Sequence, residues 1–417
     1  MTAAVLCIGT ELTRGEIVNT NATWLAGRLT ELGQQVTAID GVDDDPARIG
    51  RALQRLGAEH ELVVCTGGLG PTTDDLTSQS VAALLRVPLV RDRASLAAIE
   101  ARMTRAGRTM AESNRKQADF PRGAQVLPNE EGTAPGFMIQ IGRARTYFLP
   151  GVPREMQAMF ELEVAPTAAP AGGRRAHQIR LRTFGLPESA VNDRLHGIEA
   201  EHRVVLAYRA HFPEIEVKVL AQADSDAAAH EKARAAADNV IARLGRDLVY
   251  AEGDAGLPEV VVKLLLEHRR RLALAESCTG GLVAKLITDV AGASEVFLGG
   301  AVTYHDHAKQ QWLGVPAALL ERHGAVSAEV AEAMARGARQ RFGADVTLAL
   351  TGIAGPSGGT PDKPVGTVHY AVATAAGVES RLLSYPGTRA QIRLRSAFAG
   401  LALVREVLRA ATETPSP

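Results

Sequence analysis

Cysteine is scarce in this chain of 417 residues: three, at positions 7, 65 and 278, an odd count without CxxC spacing. That excludes a disulfide framework and fits a reducing compartment. An excess charge of one sign is lacking too, with 46 Lys and Arg against 47 Asp and Glu and a formal charge of −1. Nothing global therefore points to nucleic acid or to a membrane surface. No apolar run approaches the length that crosses a bilayer. The opening MTAAVLCIG has no basic start and runs straight into a strand, so no secretory leader is expected and the expected location is cytoplasmic. What the chain does have is 46% hydrophobic residues in a length too great for one ordinary core, so two or three domains are expected.

Strand and helix patterns alternate over residues 3 to 65: AAVLCIG, a helix from about Asn19 to Leu32, QVTAID, a helix over Pro46 to Leu56, then ELVVCTGG. This predicts an α/β domain of parallel strands with helical crossovers. In such sheets ligands bind beyond the carboxyl ends of the strands, and those ends carry GTEL, GVDDD and TGGLGPTTDD. Gly67, Gly68 and Gly70 would expose backbone N–H groups before a helix expected to start near Asp74, an arrangement that cradles phosphate oxygens. The loop is neither a Walker sequence nor a dinucleotide fingerprint. Asp74 and Asp75 would repel a phosphate unless a divalent cation lay between, and Glu11 and Asp44 stand at neighbouring strand ends. The plainer alternative is that Asp74 caps its helix. An amphipathic helical stretch from Arg91 leads to NRKQA, where Asn114 and Lys116 could close over a phosphate or simply end a solvated helix. LPGVP should join the same edge if the strand before it runs parallel.

APTAAPAGGRR at 165 to 175 reads as a boundary. Beyond it lie three period-two strands and an Ala-rich helix, a small α+β module without a catalytic constellation; a spacer or dimerisation role is the default. His196, His202 and His211 lack metal-ligand spacing.

In the last third, LALAE reads as a buried strand that stops at Ser277, Cys278, Thr279, Gly280 and Gly281 before helical spacing resumes. A strand feeding a helix through small residues aims unpaired N–H groups and a positive helix end at one point, which suits a developing oxyanion. Ser277 and Cys278 are potential nucleophiles, and each needs a base. Lys309 is the candidate, with Tyr304 five residues before it. The alternative is that Ser277 caps the helix and the glycines only allow close packing. Downstream, Thr351, Gly352 and Gly355 form another glycine-rich strand end. Arg389 opens the final helix, where a cation is unfavourable unless an anion is bound. Arg393 is a second candidate. The His305 to His307 segment, HDH, lacks a third metal ligand.

Together GTELTRGEIVNTNATWLA, TGGLGPTTDDLT, NRKQA, GTAPGF, LPGVPREM, AESCTGGLVA, FLGGAVTYHDHAK, GAVSAEVA, TGIAGPSGGTPDKPVGTV and PGTR resemble the CinA family over nearly the whole chain. The resemblance implies three α/β and α+β domains: a molybdopterin-binding-like domain over 1–167, a KH-like module over 175–252 and an amidohydrolase domain over 256–413. It implies that the last domain converts nicotinamide mononucleotide to the acid and ammonia without a cofactor. Ser277, Tyr304 and Lys309 would be catalytic, and Cys278, Thr279, Gly280, Gly281, Thr351, Gly352 and Arg389 would bind substrate. For the first domain it implies cleavage of ADP-ribose with magnesium, manganese or cobalt at Asp74 and Asp75. It also leans towards a homodimer. Two departures stand out: Asp43-Asp44 replaces the usual Gly-Asp, and PGTR stands where SGDR is common. A sensor or adaptor that binds nucleotides without turning them over is the competing class.

Overall fold

The computed structural model describes residues 2–105, 107–168 and 175–413, with the side chains of 411–413 left aside. Part of the expected boundary at 165 to 175 falls outside the described residues; its first four, Ala165–Ala168, are helical. By compactness the chain divides into two units, residues 1–178 with 221–232 and residues 179–220 with 233–417. The three-domain order is visible in its sheets.

The first sheet contains β1 (Thr2–Ile8), β2 (Gln35–Val42), β3 (Leu62–Thr66), β6 (Gln125–Leu127), β7 (Gly136–Ile141) and β8 (Ala144–Leu149), in the order β2-β1-β3-β8-β7-β6. β4 (Leu89–Arg91) and β5 (Asp119–Pro121) make a separate antiparallel pair. β1, β2, β3 and β8 run parallel, so the expected α/β domain is present and LPGVP lies on the edge that carries the glycine loop. β1 and β3 are buried on both faces because helices cover each side. On one face Leu25 and Leu29 pack against Val5 and Val64, and on the other Ile49 and Leu53 pack among Leu6 and Val63. The helices begin where the caps foretell. Asn19 accepts from Ala22 N–H to open Thr20–Glu31, and Asp45 accepts from Arg48 N–H to open Pro46–Glu59, with proline at the first position. NRKQA, read as a helix end, is instead its own 3₁₀ turn, Glu112–Ala118, separate from the helix Arg93–Arg105.

The middle sheet has β9 (Arg175–Thr183), β10 (Val205–His211), β11 (Glu214–Ala223) and β12 (Val249–Glu252) in the order β10-β11-β9-β12. The last sheet holds β13 (Leu272–Glu276), β14 (Phe297–Val302), β15 (Val346–Gly352), β16 (Thr367–Ala373) and β17 (Val378–Ser384), ordered β14-β13-β15-β16-β17. β14, β13 and β15 are parallel, and β16 and β17 return antiparallel. Leu272, Leu274, Leu348 and Leu350 face the core beneath the helices Leu257–Glu267 and Arg389–Glu413. Ala275 and Ala349 face the helix Ala328–Phe342, which Ser327 caps by accepting from Val330 N–H.

Candidate functional sites at two sheet edges

The carboxyl end of β13 is set by its neighbours. Glu276 lies opposite Val302 of β14 and Leu350 of β15. One residue further, Ser277 N–H donates to the Leu350 carbonyl at 3.0 Å and Thr303 N–H to the Glu276 carbonyl at 2.8 Å. Ser277 is thereby placed between Thr303, which follows β14, and the last residues of β15. The structure gathers Ser277, Thr303, Tyr304 and Thr351 at one edge, as a parallel ladder must.

The sequence reading missed Glu276. Its side chain is buried and accepts from Gly281 N–H at 3.0 Å, Val283 N–H at 3.1 Å and Ala284 N–H at 2.8 Å. These N–H groups open the helix Leu282–Thr288, so the positive end expected to greet an oxyanion already holds a carboxylate. Gly280 N–H is also taken, by the Ser277 carbonyl at 3.1 Å. The oxyanion role foreseen for Gly280 and Gly281 is therefore closed. Among the described residues, Cys278 and Thr279 keep N–H groups that no carbonyl or carboxylate engages. The signal for Glu276 was present: one acidic residue ending an otherwise apolar, fully buried strand.

Cys278 is buried beside Ala354, Val368 and Ile392, and burial pushes its thiol up to about 12. A thiol so disposed is protonated at neutral pH, which counts against it as nucleophile. The Ser277 hydroxyl carries no hydrogen bond to another described residue.

Lys309, 1% exposed, donates to Asp306 Oδ1 at 3.1 Å and to the Tyr304 carbonyl at 3.3 Å. The Tyr304 hydroxyl instead accepts from Arg389 at 2.7 Å, and a second Arg389 nitrogen donates to the Gly355 carbonyl at 2.7 Å. The Tyr304 hydroxyl does not meet the Lys309 amine: the tyrosine presents its carbonyl to the amine and its hydroxyl to the guanidinium. Neither does a hydrogen bond join Lys309 to Ser277. Arg393 donates twice to the Thr279 carbonyl, at 2.6 and 3.2 Å, and so fixes the corner from outside. The Thr351 hydroxyl is spent on the Ala325 carbonyl at 2.7 Å. At Gly352 a Cβ would come within 2.8 Å of the Thr367 carbonyl, which is reason enough for glycine. The HDH segment starts a helix: His305 Nδ1 accepts from His307 N–H.

The other edge carries a cavity of ≈ 420 Å³. Gly67, Gly68, Gly70, Asp74, Asp75, Glu11 and Asp44 all line it. The loop differs from expectation in one respect: its helix begins at Thr77, not near Asp74. Asp75 accepts from Thr72 N–H at 2.8 Å and the Thr72 hydroxyl at 2.5 Å, and Asp74 accepts from that hydroxyl at 2.5 Å. The hydroxyl at Thr72 holds the Asp74 carboxyl below its usual range. Asp74 therefore closes a turn rather than capping the helix. Gly67 has φ +107° and a Cβ there would meet the Ile8 carbonyl at 2.0 Å, so this glycine serves the backbone. Its N–H already donates to the Leu149 carbonyl at 3.1 Å. Asp44 accepts from Thr10 N–H at 2.8 Å and the Thr10 hydroxyl at 2.7 Å, so the turn that lost its glycine at position 43 still forms.

Asn114 and Lys116 do not line the cavity. Lys116 Nζ binds the carbonyls of Thr72 and Asp75 from behind the loop, and Asn114 donates to Gln117 at 3.1 Å. Gln117 lines the cavity in their place, as do Asn21, Thr66 and Glu155. Asn21 donates to the Gly151 carbonyl at 2.8 Å and leaves its buried Oδ1 without a donor. Among the described residues no group of three or more His, Cys, Asp and Glu is placed to hold a metal ion.

The folds and sites together define a chain in which a molybdopterin-binding-like domain precedes a KH-like module and a CinA-type α/β domain. Family models match in that order: "Probable molybdopterin binding domain" over 4–169, "Damage-inducible protein CinA KH domain" over 178–251 and "CinA C-terminal domain" over 254–408. A CinA-like protein of Anaeromyxobacter dehalogenans is 45% identical over 412 residues, covering 98% of this chain and 100% of the relative. One from Geobacter sulfurreducens is 44% identical over 411 residues, covering 98% and 99%. The crystal structure of the competence/damage inducible protein CihA from Agrobacterium tumefaciens is 38% identical, covering 37% of this chain and 97% of that one with a TM-score of 0.35. The chain belongs to the CinA family. No helix among the described residues is long and apolar enough to cross a membrane.

Proposed function

We propose that the last domain hydrolyses the carboxamide of nicotinamide mononucleotide to nicotinate mononucleotide and ammonia, with Ser277 as nucleophile. The observation that carries this is a hydroxyl left free at the strand edge beside a thiol that burial keeps protonated. Ser277 Oγ attacks the carboxamide carbon as its proton passes to Lys309, and the N–H groups of Cys278 and Thr279 take the developing oxyanion. The C–N bond breaks as that proton is given to the departing ammonia, and water then hydrolyses the acyl ester to free the acid and restore Ser277. Lys309, buried and held by the half-exposed carboxylate of Asp306, is the proposed acceptor of the serine's proton. Arg389, held between Tyr304 and Gly355, turns towards the substrate phosphate. The test is ammonia release from nicotinamide mononucleotide by the purified chain, its Ser277→Ala variant and its Cys278→Ala variant. Normal turnover in the serine variant with loss in the cysteine variant overturns the assignment. Tight binding without ammonia release would make the domain a nucleotide sensor or adaptor.

For the first domain the same reading is cleavage of ADP-ribose at the diphosphate. It is supported by the cavity that Gly68, Gly70 and the Asp74–Asp75 pair line. A divalent cation, when bound, would neutralise the diphosphate, with Asp74 and Asp75 holding it. Asn21 and Gln117 would orient the substrate. Phosphate released after phosphatase coupling, with and without magnesium, manganese or cobalt, tests this; full activity in a chain with alanine at both aspartates refutes it. A homodimer remains part of the proposal and is read directly from sedimentation.

A further inference from the structure

At the edge of the last sheet opposite Ser277 lies a second cavity, of ≈ 730 Å³. Its floor is made where β13 and β15 begin, by Arg270 and Asp345, and where β16 turns into β17, by Thr374 and Ala375. β13 is five residues long, so roughly 16 Å of strand separates this cavity from the serine corner. Of the four carboxylates around it, three are hydrogen-bonded, and the fourth, Asp247, lies largely in solvent with a contact to Arg409 at 3.7 Å. Glu379 and Glu406 each accept from Arg381, at 2.7 Å. Asp345 accepts from Arg271 N–H at 2.8 Å.

Arg339, from the helix Ala328–Phe342, is different. It lines the cavity, its Nε is buried, and no acceptor meets that nitrogen. Arg270 stands on the same wall with only a loose contact to Asp345, at 4.0 Å and largely in solvent. The Arg339 side chain as a whole is only partly buried, and among the described residues no carbonyl or carboxylate accepts from its guanidinium, so what this wall lacks is an anionic acceptor. Asp345, Glu379 and Glu406 cannot turn to it without abandoning their own arginine or N–H, and Asp247 points largely into solvent.

We infer that this cavity is a binding site for a small anionic ligand, a phosphate or carboxylate group received by Arg339 and Arg270. It is independent of the reactions proposed above, because neither uses these residues.

The probe is inorganic phosphate, with acetate as the carboxylate arm, titrated calorimetrically into the full chain at constant ionic strength. Arg339→Gln should lose one saturable site or weaken it by about tenfold or more, the size expected when a charged hydrogen bond is removed. Arg339→Lys should recover part of it, which distinguishes loss of a charge from misfolding. Arg389→Gln should keep the site, which separates it from the serine corner. Saturation by acetate as well as phosphate assigns carboxylates to the ligand class; saturation by phosphate alone assigns phosphates. Equal stoichiometry and affinity in the wild-type and Arg339→Gln chains, for both anions, overturns the inference.

Discussion

The two strand-edge sites use the same topology and spend their polar groups in opposite ways. At the first, carboxylates and amides line an open cavity, and the carboxylates accept from hydroxyls of the same edge: Asp74 and Asp75 from Thr72 within the glycine loop, Asp44 after β2 from Thr10 after β1. At the second, polarity is turned inward. Glu276 consumes three helix N–H groups, Lys309 meets Asp306, and Arg393 grips the Thr279 carbonyl. The first edge keeps its oxygens towards solvent, and the second braces its small-residue corner from behind.

The comparison breaks most visibly at the serine. Ser277→Ala should lower ammonia release by about a thousandfold or more, while Cys278→Ala stays within about tenfold of the parent, both measured as kcat/KM. Next comes bracing. Glu276→Ala leaves three N–H groups without an acceptor in a buried corner and should cost about 3–5 kcal/mol by urea unfolding, against under about 1 kcal/mol for Asp75→Ala, whose partners on Thr72 reach water. Equal costs would mean that the two edges are not built differently.

A buried carboxyl without such N–H partners sharpens the point through pH. Glu214, in the middle sheet, accepts from the Tyr250 hydroxyl, and burial raises it to about 7 against the partial opposition of Arg182, with Glu216 and Glu259 adding to the rise. The folded chain holds this proton more tightly than the unfolded one, so stability is greatest below the unfolded carboxyl value and declines as pH rises towards 7. Glu214→Gln should flatten that decline, which is expected to amount to about 1–3 kcal/mol. A pH profile unchanged by the substitution would refute it. The smallest effect is at Arg389. Replacing it with lysine forfeits the simultaneous contact with Tyr304 and Gly355 and should raise KM for the nucleotide about tenfold with kcat nearly unchanged.

Much of this was legible before the coordinates. The alternation of strands and helices, the helices near Asn19 to Leu32 and Pro46 to Leu56, and the gathering of GTEL, the glycine loop and LPGVP on one edge follow from local pattern and from the geometry of parallel sheets. The roles of individual donors were not legible. Gly67 and Gly281 look alike as loop glycines, yet the N–H of one is taken by Leu149 and that of the other by Glu276, partners that only long-range pairing supplies. Lys116 and Asn114 likewise face the back of the loop they were expected to close.

By itself the sequence determined which stretches are strands, which are helices and which small residues stand at their junctions, because periodicity and capping are read within a few residues of chain. Tertiary structure decided which hydrogen-bonding groups at those junctions remain available. Each N–H, carbonyl and charge is claimed by whatever the fold brings within about 3 Å, and that claimant is usually far away in sequence.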